Sequence, residues 1–275
     1  MCSSDLVALK NETLILRIPG EGTSDYIDRK VELHNAHAAA KAGISAQIIW
    51  ADANSGVMIS RCIEGIQTMT PALFQSHPGA AARAGQALAR LHNSGQEFQF
   101  RFELFAMIED YLAILSIKDI KLPAGYSDIV AAAGPVKQAL AENPAPLAPC
   151  HCDPLCENFL DDGGRMWIVD WEYSGMNDPM WDLSDLSVEA GFDAARDLEM
   201  LTAYLGRAPG AAEHGRLVIY KAMCDLLWTL WGLIQLADGN TAEDFQAYAL
   251  ARFNRCRKLM QDPKFSGHLS AIENG

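Results

Sequence analysis

The chain has 275 residues, of which 49% are hydrophobic, so it can bury the core of one large domain or of two lobes. It carries 35 acidic residues against 22 basic ones, and the net charge of −13 argues against nucleic acid as a partner while remaining compatible with a small cationic ligand. The 7 cysteines are an odd number and several lie in apolar runs, which predicts reduced thiols in a cytoplasm.

No segment of the sequence has the form of a targeting or membrane-spanning element. The N-terminal stretch MCSSDLVALK lacks the long apolar centre of a signal peptide. The longest apolar run lies near Trp228, contains Asp225 and is predicted to be too short to cross a bilayer. We therefore expect a cytoplasmic protein that does not insert into membranes.

The first 65 residues predict a small sheet with one helix. The segment LVALKNETLILRIPG has the pattern of two strands joined by a turn at Asn11–Glu12. A helix of about 18 residues is expected next, capped by Ser24 or Asp25 and closed by Gly43. Two further strands, AQIIWAD and GVMISRCI, are predicted to pair across the turn ANSG.

Beyond residue 65 the pattern becomes mainly helical. The Ala-rich segment from Pro71 to Ser94 predicts a helix, in which His92 is assigned to packing and capping. RFELFAMIEDYLAIL and GYSDIVAAAGPVKQALAEN are also helical in pattern, MWIVDWEY predicts a short strand, and helices are expected from about residue 180 to 262. The predicted fold is α+β, with a β-rich N-lobe over residues 1–65 and a larger helical C-lobe over residues 66–275.

One group of polar residues has a spacing with chemical meaning. His151, Asp153 and Asn158 fit the pattern H-x-D-x-x-x-x-N of a kinase catalytic loop without a gap, and Asp170 ends the strand MWIVD. Phosphoryl transfer requires a carboxylate that orients the attacking hydroxyl and a metal that neutralises phosphate charge. Mg²⁺ prefers carboxylate and amide oxygens, so these residues predict a phosphoryl-transfer site.

The stretch HCDPLCENFL…IVDWEYSGMNDPMWDLSDL resembles the choline/ethanolamine kinase family, and most closely its bacterial choline kinases. This family lies within the aminoglycoside phosphotransferase and protein-kinase-like group. The resemblance implies a protein-kinase-like two-lobe fold with ATP and Mg²⁺ as cofactors. It implies that Asp153 is the catalytic base and that Asn158 and Asp170 hold Mg²⁺. Three further residues are implied to support the loop or the metal: His151, Glu172 and Asp182.

The same resemblance assigns nucleotide-binding roles in the N-lobe. LILRIPG matches the strand that presents a cation to the α- and β-phosphates, which here is Arg17 in place of the kinase Lys, and Glu32 is its expected partner. Arg29 and Lys30 remain open as additional phosphate contacts. The hinge stretch MISRCIEG is implied to receive adenine through backbone groups of four residues: Ser60, Arg61, Cys62 and Ile63.

One element of the family pattern is missing from this sequence. The family has a loop with glycine and asparagine residues before the Arg strand, which folds over the phosphates. The segment MCSSDLVALKN has no room for that full hairpin. Two interpretations follow, namely an incomplete or rearranged N-terminus, or impaired nucleotide binding.

A pair of tryptophans suggests how a cationic substrate is bound. In CDLLWTLWGLIQ, Trp228 and Trp231 are three residues apart and share one helix face. Aromatic faces attract a quaternary ammonium group, which has no N–H to donate. The resemblance adds Tyr248 to this box and Glu189 as a counter-charge, with Phe192 as a candidate for a family aromatic that is not at its expected place. Without the resemblance, packing in a core would explain both tryptophans.

These observations predict an ATP-dependent kinase that converts choline to phosphocholine. Ethanolamine is the nearest alternative substrate, although a primary ammonium would prefer carboxylates and water to aromatic rings. An aminoglycoside would need a wider acidic cleft. A non-catalytic kinase-like module that binds a cationic ligand is the alternative from another class. A zinc site is disfavoured, since Cys150, His151, Cys152 and Cys156 are crowded into seven residues. The oligomeric state is left open.

Overall fold

The computed structural model describes residues 3–8, 12–20 and 27–273 and has the predicted α+β architecture, with a small antiparallel sheet followed by mainly helical structure. The chain forms two compact units. Unit 1 contains the described residues up to Arg101 together with Leu147–Ala208, and unit 2 contains Phe102–Pro146 and Pro209–Gly275 up to the last described residue. The lobe boundary predicted near residue 65 stays a prediction.

The N-terminal sheet of unit 1 has four antiparallel strands. They are β1 (Ser3–Ala8), β2 (Thr13–Ile18), β3 (Ile48–Asp52) and β4 (Val57–Arg61), arranged in the order β1-β2-β4-β3. The two predicted strand pairs are therefore confirmed, although most of the connection expected at Asn11–Glu12 lies outside the described residues. Among the described residues, β1 is the one strand that precedes β2. Leu14 of β2 and Met58 of β4 are both buried, and the register of the two strands places them on opposite faces of the sheet.

Helix α1 (Arg29–Lys41) begins later than the sequence pattern predicted. Its N-cap is Asp28, whose Oδ1 accepts hydrogen bonds from the backbone N–H groups of Lys30 (2.9 Å) and Val31 (3.3 Å). This carboxylate satisfies two donors that the first helical turn leaves open, so the prediction of a cap at Ser24 or Asp25 was wrong. Those two residues themselves lie outside the described part of the chain.

The remainder of unit 1 surrounds two small sheets, β5-β7-β8 and β6-β9. Its elements are β5 (Gln67–Thr68), α2 (Pro71–Ser76), α3 (Ala80–His92), β6 (Ala148–Cys150), β7 (Phe159–Asp161), β8 (Met166–Ile168), β9 (Gly175–Asn177), α7 (Met180–Glu189) and α8 (Ala194–Leu205). The expected single Ala-rich helix is divided into α2 and α3 by His77–Gly79. Pro78 cannot donate a helical hydrogen bond, and Gly79 adopts a left-handed φ of 73°.

The secondary-structure elements of unit 2 are all helices among the described residues. It contains α4 (Leu104–Ser116), α5 (Tyr126–Ala132), α6 (Gly134–Glu142), α9 (Ala211–Ala237), α10 (Phe245–Met260) and α11 (Phe265–Glu273). Within the described chain, α9 is the one helix that is long and apolar enough to cross a membrane, with 27 residues, so the prediction that this apolar run is too short was wrong. However, 83% of its most apolar window is buried inside the protein, as in the core helix of a folded domain.

Candidate active site

The loop between β6 and β7 carries Asp153 and is held in place through its backbone. The N–H groups of His151 and Cys152 donate to the two carboxylate oxygens of Asp182, at 2.7 and 2.8 Å. Trp181, the neighbour of Asp182 on α7, donates its Nε1–H to the Cys152 carbonyl at 3.0 Å. Cys152 has a left-handed φ of 66°, which is unfavourable for a side chain with a Cβ. These contacts fix the loop in that conformation.

Asp182 is itself part of a buried hydrogen-bonded chain. Its Oδ2 lies 3.0 Å from Nε2 of His92, whose Nδ1 lies 3.1 Å from the hydroxyl of Tyr204. Both Asp182 and His92 are almost completely buried. The predicted packing of His92 at the end of α3 is confirmed, and its ring also links Tyr204 of α8 to the carboxylate that holds the Asp153 loop.

Backbone and side-chain hydrogen bonds bring Asp153, Asn158 and the segment before Asp170 together. The Asn158 side-chain amide donates to the Asp153 carbonyl at 3.1 Å, and the Val169 N–H donates to the Asn158 carbonyl at 3.0 Å. His151 accepts from the Asp153 N–H at Nδ1 (3.3 Å), which assigns its proton to Nε2, and this nitrogen donates to the Val169 carbonyl (2.9 Å). His151 thus joins the loop to the strand that leads to Asp170.

Arg17 forms the centre of a cluster of ionised side chains in unit 1. Its Nη1 lies 2.5 Å from Oε1 of Glu32, and its Nη2 lies 2.8 Å from Oδ1 of Asp170 and 2.9 Å from Oε1 of Glu172. Asp170 adopts a left-handed φ of 69°, a conformation that Asp tolerates better than most residues. The predicted pair of Arg17 and Glu32 is thus in contact, and the carboxylates of Asp170 and Glu172 reach the same guanidinium.

A second arginine, which the sequence left open as a phosphate contact, belongs to this cluster. Nη1 of Arg29 lies 2.7 Å from Oε2 of Glu32 and 2.7 Å from Oε1 of Glu172. Burial raises the pKa of Glu32, while the charges of Arg17 and Arg29 act in the opposite direction. Only the i, i+3 spacing of Arg29 and Glu32 could have indicated this contact from the sequence.

A cavity of about 480 Å³ opens beside this cluster, within the size range of small-molecule sites. Its lining includes Ile15, Ile48, Met58 and Val169 on the apolar side, and Arg17, Glu32, Asn158 and Asp170 on the polar side. Residues from both the N-terminal sheet and the loop between β6 and β7 therefore face one space. An apolar wall with charged groups at one end suits a ligand with a flat base and a charged tail.

The predicted hinge residues lie at this cavity with one exception. Ser60, Cys62 and Ile63 line it, whereas the side chain of Arg61 is exposed and lies 3.7 Å from Glu12. The N–H groups of Arg61 and Cys62 donate to the carbonyls of Gln47 and Thr13. Neither of these two N–H groups is therefore available to a base, and the side chain of Arg61 lies on the outer surface of the sheet. Adenine recognition by the other backbone groups of Ser60–Ile63 stays a prediction.

The residues at the polar end have the right chemistry for a hard divalent cation. Since Nδ2 of Asn158 is engaged with Asp153, the amide oxygen is the atom left to bind a metal. Carboxylate oxygens of Glu32, Asp170 and Glu172 lie within 4.8 Å of one another. Amide and carboxylate oxygens are the ligands that Mg²⁺ takes in proteins, so this donor set fits the predicted metal.

Unit 2 contains the predicted aromatic group. The ring centroids of Trp228 and Trp231 are 6.3 Å apart, and those of Trp231 and Tyr248 are 5.7 Å apart. Phe245, which sequence reasoning missed, packs on Trp231 at 5.6 Å. Trp231 and Tyr248 are partly exposed, whereas Trp228 is buried. The cluster therefore offers ring surface from two of the three predicted residues and uses Trp228 behind them.

Unit 1 contains two residues that were considered for the substrate side, and the role of Glu189 stays a prediction. Glu189 lies at the end of α7 and is half-buried. Phe192 is buried, with its ring 5.6 Å from that of Phe74 in an edge-on contact. Phe192 is therefore a core residue and cannot replace the missing family aromatic.

Comparison with known proteins places the chain among phosphotransferases. Residues 3–218 match the model of the phosphotransferase enzyme family. A choline/ethanolamine kinase family protein from Mesorhizobium loti is 58% identical, with a TM-score of 0.90 over 97% of this chain and 88% of that chain. The choline kinase LicA from Streptococcus pneumoniae is 28% identical, with a TM-score of 0.78 over 94% and 89% of the two chains. A structure of LicA in complex with AMP is 27% identical, with a TM-score of 0.75 over 94% and 87%.

Proposed function

Because the chain belongs to the choline/ethanolamine kinase family of phosphotransferases, we propose that it transfers the γ-phosphoryl group of ATP to the hydroxyl of choline, giving phosphocholine and ADP. The observation that carries this proposal is the meeting of Arg17, Asn158 and Asp170 at one cavity, with Asp153 hydrogen-bonded to Asn158. LicA from Streptococcus pneumoniae, which is similar over most of the chain, is a choline kinase and supports choline as the acceptor.

The cavity of unit 1 is the proposed ATP site. Its apolar wall would hold the adenine ring, and the N–H of Ile63 would donate to it. The guanidinium of Arg17 would bind phosphate oxygens, which it can do in bidentate fashion. The similarity to a LicA structure that contains AMP supports a nucleotide in this position.

Asp153 is proposed to act on the choline hydroxyl. Its carboxylate would accept the hydroxyl proton as the choline oxygen forms a bond to the γ-phosphorus and the bond to the β-phosphate oxygen of ADP breaks. Asn158 and Asp170 would hold Mg²⁺, which neutralises charge on the phosphates when bound. His151 and Asp182 would keep the Asp153 backbone in position, and Glu172 would sit behind the metal with Arg17.

The aromatic cluster of unit 2 is the proposed binding site for the trimethylammonium group. Trp231 and Tyr248 expose ring surface, and each ring is expected to contribute roughly 0.5–2 kcal/mol through cation–π attraction. Trp228 would support Trp231 from the buried side of the helix. Glu189 would supply a counter-charge, a role that is carried over from the family resemblance.

Ethanolamine is the second candidate substrate, because the family includes ethanolamine kinases and Glu189 could accept hydrogen bonds from a primary ammonium group. An aminoglycoside kinase is less favoured, since an aromatic cluster offers such polar substrates little.

A cytoplasmic location accords with the cysteines in the described part of the chain, of which Cys62, Cys150, Cys152, Cys156, Cys224 and Cys256 are free thiols.

An ADP-release assay with MgATP and either choline, ethanolamine or a set of aminoglycosides tests the proposal. We expect turnover with choline, a higher KM for ethanolamine, and no turnover with aminoglycosides. Equal kcat/KM for choline and ethanolamine would remove the case for an aromatic cage. Choline binding without ATP binding or turnover would instead support the non-catalytic module.

A further inference from the structure

Arg29 is the buried basic residue of the ion cluster that does not line the nucleotide cavity. Its side chain is 4% exposed, and its Nη1 contacts one carboxylate oxygen each of Glu32 and Glu172. Arg17 lines the cavity and shares those two carboxylates, in addition to Asp170. Arg17 and Arg29 together thus contact three carboxylates, those of Glu32, Asp170 and Glu172.

The neighbouring turn leaves room for the Arg29 side chain. A Cβ atom at Gly56, in the turn between β3 and β4, would lie 2.7 Å from Cδ and 3.0 Å from Nε of Arg29. Gly56 has a φ of 71°, so glycine is also the residue its backbone favours. The sheet, helix α1 and the segment after Asp170 therefore all meet at this guanidinium.

The charge balance of the cluster shows what Arg29 does. Three carboxylates and two guanidinium groups leave one net negative charge, and removing Arg29 would leave two. Arg17 contacts both Glu32 and Glu172, so without Arg29 both acids would compete more strongly with phosphate for the Arg17 guanidinium. A buried carboxylate that has lost one basic partner binds its remaining arginine more strongly, because water does not take the place of the lost partner.

We propose that Arg29 is a positioning residue that neutralises Glu32 and Glu172 so that Arg17 is available to the nucleotide phosphates. This inference rests on the proposed function for the presence of a nucleotide site, but not on the identity of the alcohol. In this role Arg29 does not contact the substrate. It acts through the two carboxylates that it shares with Arg17.

The test is ADP binding measured by calorimetry in EDTA, which separates the effect on Arg17 from metal binding and from turnover. Arg29→Met should weaken ADP binding by about tenfold or more, the effect of one hydrogen bond to a charged group. Lys41→Met is the matched control, because it removes the same charge from the exposed last residue of α1, outside the cavity lining. We expect it to bind ADP like the unchanged protein.

A second substitution distinguishes positioning from a general loss of structure. Glu172→Gln in the Arg29→Met background removes the acid that would hold Arg17, so ADP binding should recover most of the loss. A folded Arg29→Met variant that binds ADP normally would overturn the inference, and so would a double variant no tighter than Arg29→Met. If Arg29→Met does not fold, the double variant is compared with the Glu172→Gln single variant. Similar ADP affinities of these two variants support the proposal, and a tenfold weaker affinity of the double variant contradicts it. If the unchanged protein binds no ADP, the proposed function itself fails.

Discussion

Asp153 is the residue on which the proposed chemistry depends most directly. Asp153→Asn keeps the size of the side chain and the backbone contacts to His151 and Asn158, but removes the proton acceptor. We expect kcat with choline to fall by about 10²-fold or more, the usual contribution of a general base. ADP binding in EDTA should be unchanged, because Asp153 is not part of the cavity lining.

Asp162→Asn provides the control for this change. Asp162 lies in the exposed turn between β7 and β8 and accepts backbone hydrogen bonds from Gly164 and Arg165, which an asparagine oxygen can also accept. Its kcat should match that of the unchanged protein in the same ADP-release assay. A similar kcat for Asp153→Asn would mean that no base acts at this position.

At the scale of single residues, the sequence could predict a role where the spacing of residues within one segment indicates that role. His151, Asp153 and Asn158 were found in this way, since a short loop determines their proximity. Arg29 could not be assigned, because its partner Glu172 is 143 positions away along the chain. Phe192 was misjudged for the same reason: only its contact with Phe74 shows that it is buried.

Among the secondary-structure elements, the contact between α3 and α8 is set by a glycine. A Cβ atom at Gly85 would lie 2.4 Å from the Met200 carbonyl oxygen, a backbone atom that cannot move independently. Gly85→Ala should therefore lower the free energy of unfolding by about 2 kcal/mol or more, as overpacking does in cores. The shift is measurable as a lower urea midpoint or Tm.

Gly134→Ala is the matched substitution in a helix without such a contact. A Cβ atom at Gly134, the first residue of α6, would have no neighbour within 4 Å. Alanine is the better helix former, so this variant should be neutral or gain up to about 1 kcal/mol of stability. Equal effects of the two substitutions would show that helix packing does not set the cost at Gly85.

The sequence pattern gave the type of most elements but not their limits. The Ala-rich segment has helical composition throughout, yet Pro78 and Gly79 divide it. Helix α1 begins at Arg29 because Asp28 caps it, and Ser24 and Asp25 have equally suitable side chains for that role. Competing caps cannot be ranked from composition, since tertiary contacts decide where the chain turns.

For the whole molecule, buried thiols make stability depend on pH above the neutral range. Burial raises the pKa of Cys150, Cys152, Cys156 and Cys256 above the value of 9.0 for an exposed thiol. Above about pH 9 the unfolded chain therefore loses protons that the folded protein keeps, so folding becomes less favourable as the pH rises. Each fully buried thiol contributes about 1.4 kcal/mol per pH unit in that range.

Urea unfolding at a series of pH values from 7.5 to about 10 checks this expectation. The midpoint should be constant below about pH 8.5 and fall above it. Cys256→Ala should flatten part of this dependence, whereas Cys62→Ala, at a half-buried position, is the control. A midpoint that is independent of pH up to 10 would contradict the prediction.

By itself, the sequence determined the fold class, through periodicity, and the family, through the resemblance of one motif-bearing segment. It also predicted His151, Asp153 and Asn158 as site residues, because their spacing lies within one short loop. The tertiary structure decided which side chains share a charge cluster and which apolar residues are buried. It showed that Arg29 contacts Glu32 and Glu172, that the side chain of Arg61 is exposed, and that most of the apolar helix α9 is buried. These outcomes depend on contacts between distant parts of the chain, and their free energies come from burial, which no local pattern encodes.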